Sequence, residues 1–139
     1  MRMNLGVVLS GLGLFCLTVP VAAHHGFDTE YDKDKVITGT GVVSKVEWTN
    51  PHMHVYIEVT DASGKVTSYN LELTSPNAIQ RLGWNKNDLL AGEKVTFIGH
   101  AGRVVESRGA LGSLVKVSAP KREIFKGEKS AELASKYAK

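Results

Sequence analysis

In several stretches between residues 36 and 118 hydrophobic and polar positions alternate with a period near two, the spacing of half-buried strands. Residues 36–48 read as a long first strand in which Val42, Ser44, Val46 and Trp48 alternate with Val43, Lys45 and Glu47. Gly39 and Gly41 interrupt it, and glycine inside a strand marks a bulge or bend. The Asn50-Pro51 turn then opens a second strand at 52–60. Met53, Val55, Ile57 and Val59 take one face of it, and His52, His54, Tyr56 and Glu58 the other. A third strand covers 65–74, with Tyr69, Leu71 and Leu73 inward and Asn70 and Glu72 outward.

The register of this hairpin follows from face parity, because directly opposed residues share a face. A four-residue loop would set His54 opposite Leu71 and mix the faces. A three-residue loop, Ala62-Ser63-Gly64, pairs Asp61 with Lys65 and gives Gly64 the left-handed position such loops require. It sets His54 opposite Glu72, Tyr56 opposite Asn70 and His52 opposite Thr74.

Residues 75–83 predict a short helix with Ser75 as N-cap, Pro76 at the first turn and Gly83 as the stop. Ala78, Ile79 and Leu82 are its expected buried stripe, and Trp84 is placed as a lid on the core. A turn at 87–93 leads to a strand at 94–100, a loop at 101–110 and a fifth strand at 111–118, which Pro120 ends. Ile124 and Phe125 are expected to add one more contact. Three strands, a helix and two strands, with a long bent first strand, is the order of the OB-fold. The expected class is therefore all-β with one short helix, an OB-fold-like five-stranded Greek-key barrel, with six-strand and sandwich variants left open.

The first 23 residues change the picture of compartment. A basic start, an apolar run shorter than a membrane span and the small residues Val21-Ala22-Ala23 read as a secretory signal peptide cleaved after Ala23. The expected organisation is a signal peptide at 1–23, an irregular arm at 24–35 anchored by Phe27 and Tyr31, the β domain at 36–125, and a charged tail at 126–139. The product is expected in the periplasm or outside the cell, with no membrane insertion after processing. Cys16 is the only cysteine and leaves with the signal peptide, so neither a disulfide nor a thiolate ligand remains. The formal net charge is +3, and losing Arg2 lowers it by one. That balance does not argue for nucleic acid.

Several short motifs occur in order: Ala23-His24-His25-Gly26-Phe27, Trp48-Thr49-Asn50-Pro51-His52, Leu71-Glu72-Leu73 before Ser75-Pro76, Leu82-Gly83-Trp84, and Leu90-Ala91-Gly92-Glu93-Lys94-Val95. In these the chain resembles an exported bacterial family, domain of unknown function 6152, up to about residue 117. The resemblance implies an exported small β domain and brings no activity with it.

Candidate chemistry centres on histidine. Cleavage after Ala23 makes His24 the first residue, offering its free amine and its Nδ1 to one ion. A third nitrogen from His52 or His54 completes a T-shaped set suited to Cu(II), which favours tetragonal nitrogen ligands. His25 is a spare or fourth ligand. His52 and His54 share a strand face ~7 Å apart, and Glu72 beside them is a carboxylate ligand or an acceptor fixing a histidine tautomer. The site would resemble the histidine brace of exported copper proteins, in the site and not the fold. The amine-terminal Cu,Ni motif is excluded because the third mature position is Gly26. The bland alternative is a flexible polar terminus and ordinary surface histidines. Met53 reads as core, His100 as a strand end, Trp48 and Trp84 as core before sugar platforms. Arg103 and Arg108 are solvated, or hold an anion at the 101–110 loop.

Enzymatic motifs are missing: no nucleophilic cysteine, no Gly-x-Ser-x-Gly elbow, no phosphate-cradling glycine loop and no EF-hand spacing. The expected function is an exported binding module for a divalent transition metal, Cu(II) favoured, and more a binder than an enzyme. The rival is a metal-free OB-type module taking an oligosaccharide, a peptide or a periplasmic protein partner across strands two and three.

Overall fold

The computed structural model of the protein describes residues 26–117 and 122–126. The proposed signal peptide, His24, His25 and residues 127–139 lie outside them. The elements in order are α1 (Phe27–Glu30), β1 (Tyr31–Glu47), β2 (His54–Thr60), β3 (Val66–Glu72), α2 (Pro76–Arg81), β4 (Lys94–Gly102), β5 (Arg108–Lys116) and β6 (Arg122–Lys126). The fold is mostly β with two short helices. The sheet order is β3-β2-β1-β4-β5-β6, and β3 also pairs with β5. All neighbours are antiparallel except β3 and β5, which run parallel through Asn70–Arg108, Leu71–Gly109 and Glu72–Ala110. Pairings therefore run from β1 through β2, β3, β5 and β4 back to β1.

Several expectations about where elements begin and end need correction. The segment 24–35 is not an irregular arm where it is described: Phe27–Glu30 is a helical turn, and Tyr31 and Asp32 already pair with Gly102 and Ala101 of β4. The charged run Lys33-Asp34-Lys35 hides this in sequence, because all three side chains are exposed and show no alternation. The six-strand variant left open is the one adopted, and β6 pairs with β5 and includes Lys126, expected in the tail. The 101–110 loop shrinks, since β4 extends to Gly102 and β5 begins at Arg108.

β1 serves two partners. Its first part pairs with β4 and its last part with β2, and Val42 faces both Lys94 and Glu58. The bulge lies between Val43 and Lys45 rather than at the glycines. One extra residue there reverses the alternation: Val43 is buried before it, and Val46 and Trp48 pack on the core after it. Gly39 and Gly41 instead mark close approach. A Cβ on Gly39 would lie 2.8 Å from the Phe97 ring, and one on Gly41 would strike the Glu58 carbonyl oxygen.

The inner faces of the strands make one core. Val55, Ile57, Leu71, Val95, Phe97 and Leu114 are fully buried, together with Met53 as its parity predicts. Each such burial contributes ~1.5–3 kcal/mol. In α2 the Ser75 hydroxyl accepts from the Ala78 amide at 3.4 Å, with Pro76 next to it. Ile79 is buried, but Leu82 is 66% exposed, against expectation. The helix ends at Arg81 and Gly83 takes a φ of 88°, so the chain turns before Leu82 can reach the core. Trp84 does close over the core, edge-on to Trp48 with ring centroids 5.7 Å apart.

Candidate functional site

The hairpin of β2 and β3 adopts the expected register: His54 faces Glu72 and Tyr56 faces Asn70. The Asp61 backbone amide donates to the Lys65 carbonyl at 3.0 Å and Gly64 has a φ of 85°. Beyond the ladder the Leu73 amide donates to the Met53 carbonyl at 2.8 Å and the Met53 amide to the Thr74 carbonyl at 3.2 Å, and His52 reaches Glu72, the residue that faces His54.

On that face each imidazole reaches a diagonal neighbour rather than the residue directly opposite. His52 Nδ1 contacts Glu72 Oε1. His54 Nδ1 lies 2.8 Å from Asn70 Oδ1. Diagonal neighbours are within reach of long side chains. With a carboxylate and an amide oxygen as partners, both Nδ1 atoms are donors, and in the neutral ring the lone pair is then on Nε2. Glu72 is thus an acceptor for His52, not for His54.

The other Glu72 oxygen accepts from the Tyr31 hydroxyl. Burial, and then the Glu72 bond and charge, push the Tyr31 phenol well above its ordinary value. The Tyr31 ring also packs on Phe27, 5.2 Å between centroids. Sequence reasoning placed Tyr31 as an anchor and missed its hydroxyl, since no local signal joins positions 31 and 72. Further along, the Tyr56 hydroxyl donates to Glu47 Oε2 at 2.9 Å, and Lys45 pairs with Glu47 while lying over the Tyr56 ring. Lys45 and then Tyr56 hold the Glu47 carboxyl below the usual range.

Beside these side chains an open cleft of about 390 Å³ runs between three segments. α1 and the start of β1 contribute Thr29, Glu30 and Tyr31. The hairpin contributes His54, Asn70 and Glu72. The β4–β5 connection contributes Gly102, Val104, Val105, Arg108 and Gly109. The two loop arginines differ. Arg103 donates from Nε to the Asp28 carbonyl at 2.8 Å and clamps α1. Arg108 makes no side-chain hydrogen bond or ion pair among the described residues and lines the cleft.

His100 lies inside β4 rather than at its end, pairs with Val36 and Ala110, and meets Phe27 edge-on at 5.5 Å. Its Nδ1 is buried without a hydrogen-bond partner among the described residues. It is not brought to the hairpin histidines. Among the described residues no three His, Cys, Asp or Glu side chains form a metal-holding group. His24 and His25 fall outside those residues. Among the described residues no helix is long and apolar enough to cross a membrane.

No curated protein and no solved structure matches the chain. A family model does match, over residues 12–111, a span that holds His52, His54, Asn70, Glu72 and Arg108. The chain therefore belongs to the family described as Family of unknown function (DUF6152).

Proposed function

We propose that the protein is an exported OB-like barrel module that binds a divalent transition metal, Cu(II) favoured, at the β2 histidines. The circuit of pairings with α2 between β3 and β4 supports the OB-like reading. The observation that carries the metal reading is the anchoring of the two rings. Each has its Nδ1 engaged by a side-chain oxygen, which orients the ring and leaves Nε2 to donate outward. Two imidazoles alone make an incomplete set. His24, as the first residue after cleavage, supplies amine and imidazole, and Cu(II) suits the nitrogen-rich square that results. Glu72 and Asn70 act through the rings and do not touch the ion.

The test is Cu(II) titration, read by electron paramagnetic resonance and by melting temperature. The protein beginning at His24 is compared with a version carrying one extra residue before it. The expected result is at least tenfold weaker binding with the extra residue, and loss of nitrogen coupling in His52→Ala and His54→Ala. At a hundredfold excess over Kd the ion should add about 2.7 kcal/mol of stability. Equal affinity in the two N-terminal forms would remove the terminal amine from the site. The cleft beside the rings favours the rival reading, a metal-free OB-type module taking an oligosaccharide, a peptide or a partner protein across β2 and β3, which expects chelators to leave the melting temperature unchanged.

A further inference from the structure

The parallel seam between β3 and β5 places Asn70 directly beside Arg108. Parallel partners present their side chains to the same face. Both residues line the cleft. Their hydrogen-bonding capacity is left in one sense only. The Asn70 carbonyl oxygen is occupied by His54, so its two amide N–H donors remain. The Arg108 guanidinium has no carboxylate partner among the described residues, whereas nearby Lys35 is paired with Glu106 and Arg103 with a backbone carbonyl. The charge of Arg108 also reaches the Tyr56 phenol on the same face. A planar fork next to an amide is a donor set for a planar anion.

The rest of the cleft limits which anion. Glu30 and Glu72 also line it, so a dianion would meet more repulsion than a monoanion. Val104 and Val105 form its rim, and Val104 is 96% exposed, an apolar side chain with no cover among the described residues. A ligand with a short hydrocarbon tail would bury that surface. We infer that the cleft binds a small aliphatic monocarboxylate, its carboxylate held by Arg108 and Asn70 and its tail lying against Val104 and Val105. The carboxylate subsite at Arg108 and Asn70 uses neither proposed metal ligand of the hairpin, although His54 also lines the cleft and is oriented by Asn70.

The test keeps them apart by working with the purified protein in EDTA. Backbone amide shifts are followed by NMR during titration with hexanoate, with neutral hexanamide and with acetate. Hexanoate should move the Asn70, Arg108 and Gly109 amides saturably, and hexanamide should bind at least tenfold more weakly. Acetate should bind several-fold more weakly than hexanoate. Arg108→Gln should weaken hexanoate at least tenfold, with Arg108→Lys between. An equal response to hexanoate and hexanamide, or unaltered binding in Arg108→Gln, overturns the proposal. Should that variant fail to fold, the comparison of ligands on the unaltered protein decides. Acetate binding as tightly as hexanoate overturns the part assigned to the valines.

Discussion

Glu72 is the residue on which the face turns. Its two oxygens are divided between His52 and Tyr31, so one carboxylate ties the N-terminal end of β1 to the strand that carries the histidines. Because burial and Glu72 raise the Tyr31 pKa in the folded state, the unfolded chain ionises first, near the ordinary value of about 10. The contribution of this tyrosine is complete below that pH and is lost as pH rises toward the folded value. Tyr56 is raised in the same direction, by burial and then by Glu47. Tyr31→Phe should cost roughly 1.5–3 kcal/mol at neutral pH, the worth of a hydrogen bond to a charged group. Its stability should also fall less steeply than that of the unaltered protein between about pH 9 and about pH 11. Urea unfolding at both ends of that range checks this, and parallel slopes would mean that Tyr31 is not the titrating group. Phe27 and Tyr31 were legible as anchors from their apolar character. The phenol bond was not, since its partner lies 41 residues away.

At the scale of elements, α2 shows how a short helix depends on where it stops. The spacing of Ala78, Ile79 and Leu82 marks one helical stripe, but only Ile79 among the three is fully buried. Ile79→Ala should cost ~2–5 kcal/mol, and Leu82→Ala less than ~0.5 kcal/mol. Chemical denaturation of the two variants separates them. A similar cost at Leu82 would show that this side chain is covered in solution. The hairpin of β2 and β3 was more legible, because parity and a loop with one glycine at positive φ leave a single register that sorts the faces. The bulge of β1 was not. Nothing near Ser44 singles it out, and the two glycines drew attention to a place where the pairing with β4 is regular.

For the whole molecule, the seam between β3 and β5 is what brings the cleft together. It spans only Asn70–Glu72 against Arg108–Ala110, whereas β1 and β4 pair without a break from Val36 to Val42. A short seam with few bonds should open at lower free energy than the rest of the sheet. The Asn70 amide, bonded to the Ser107 carbonyl at 2.8 Å, should therefore exchange at least tenfold faster than the β1 amides at 37–41. Native-state hydrogen exchange measures this. Equal protection would mean that the sheet opens only as one unit.

The sequence by itself determined which residues face inward on β2 and β3, how those strands are registered, where α2 is capped, and that His52 and His54 share a face. These depend on chirality, on a period of two and on a short loop, all of them local. Tertiary structure decided that Tyr31 and His52 share Glu72, that His54 turns to Asn70, and that Arg108 stands beside Asn70. Each of these joins segments far apart in the chain, and a partner across such a distance is set by the packing of the whole sheet.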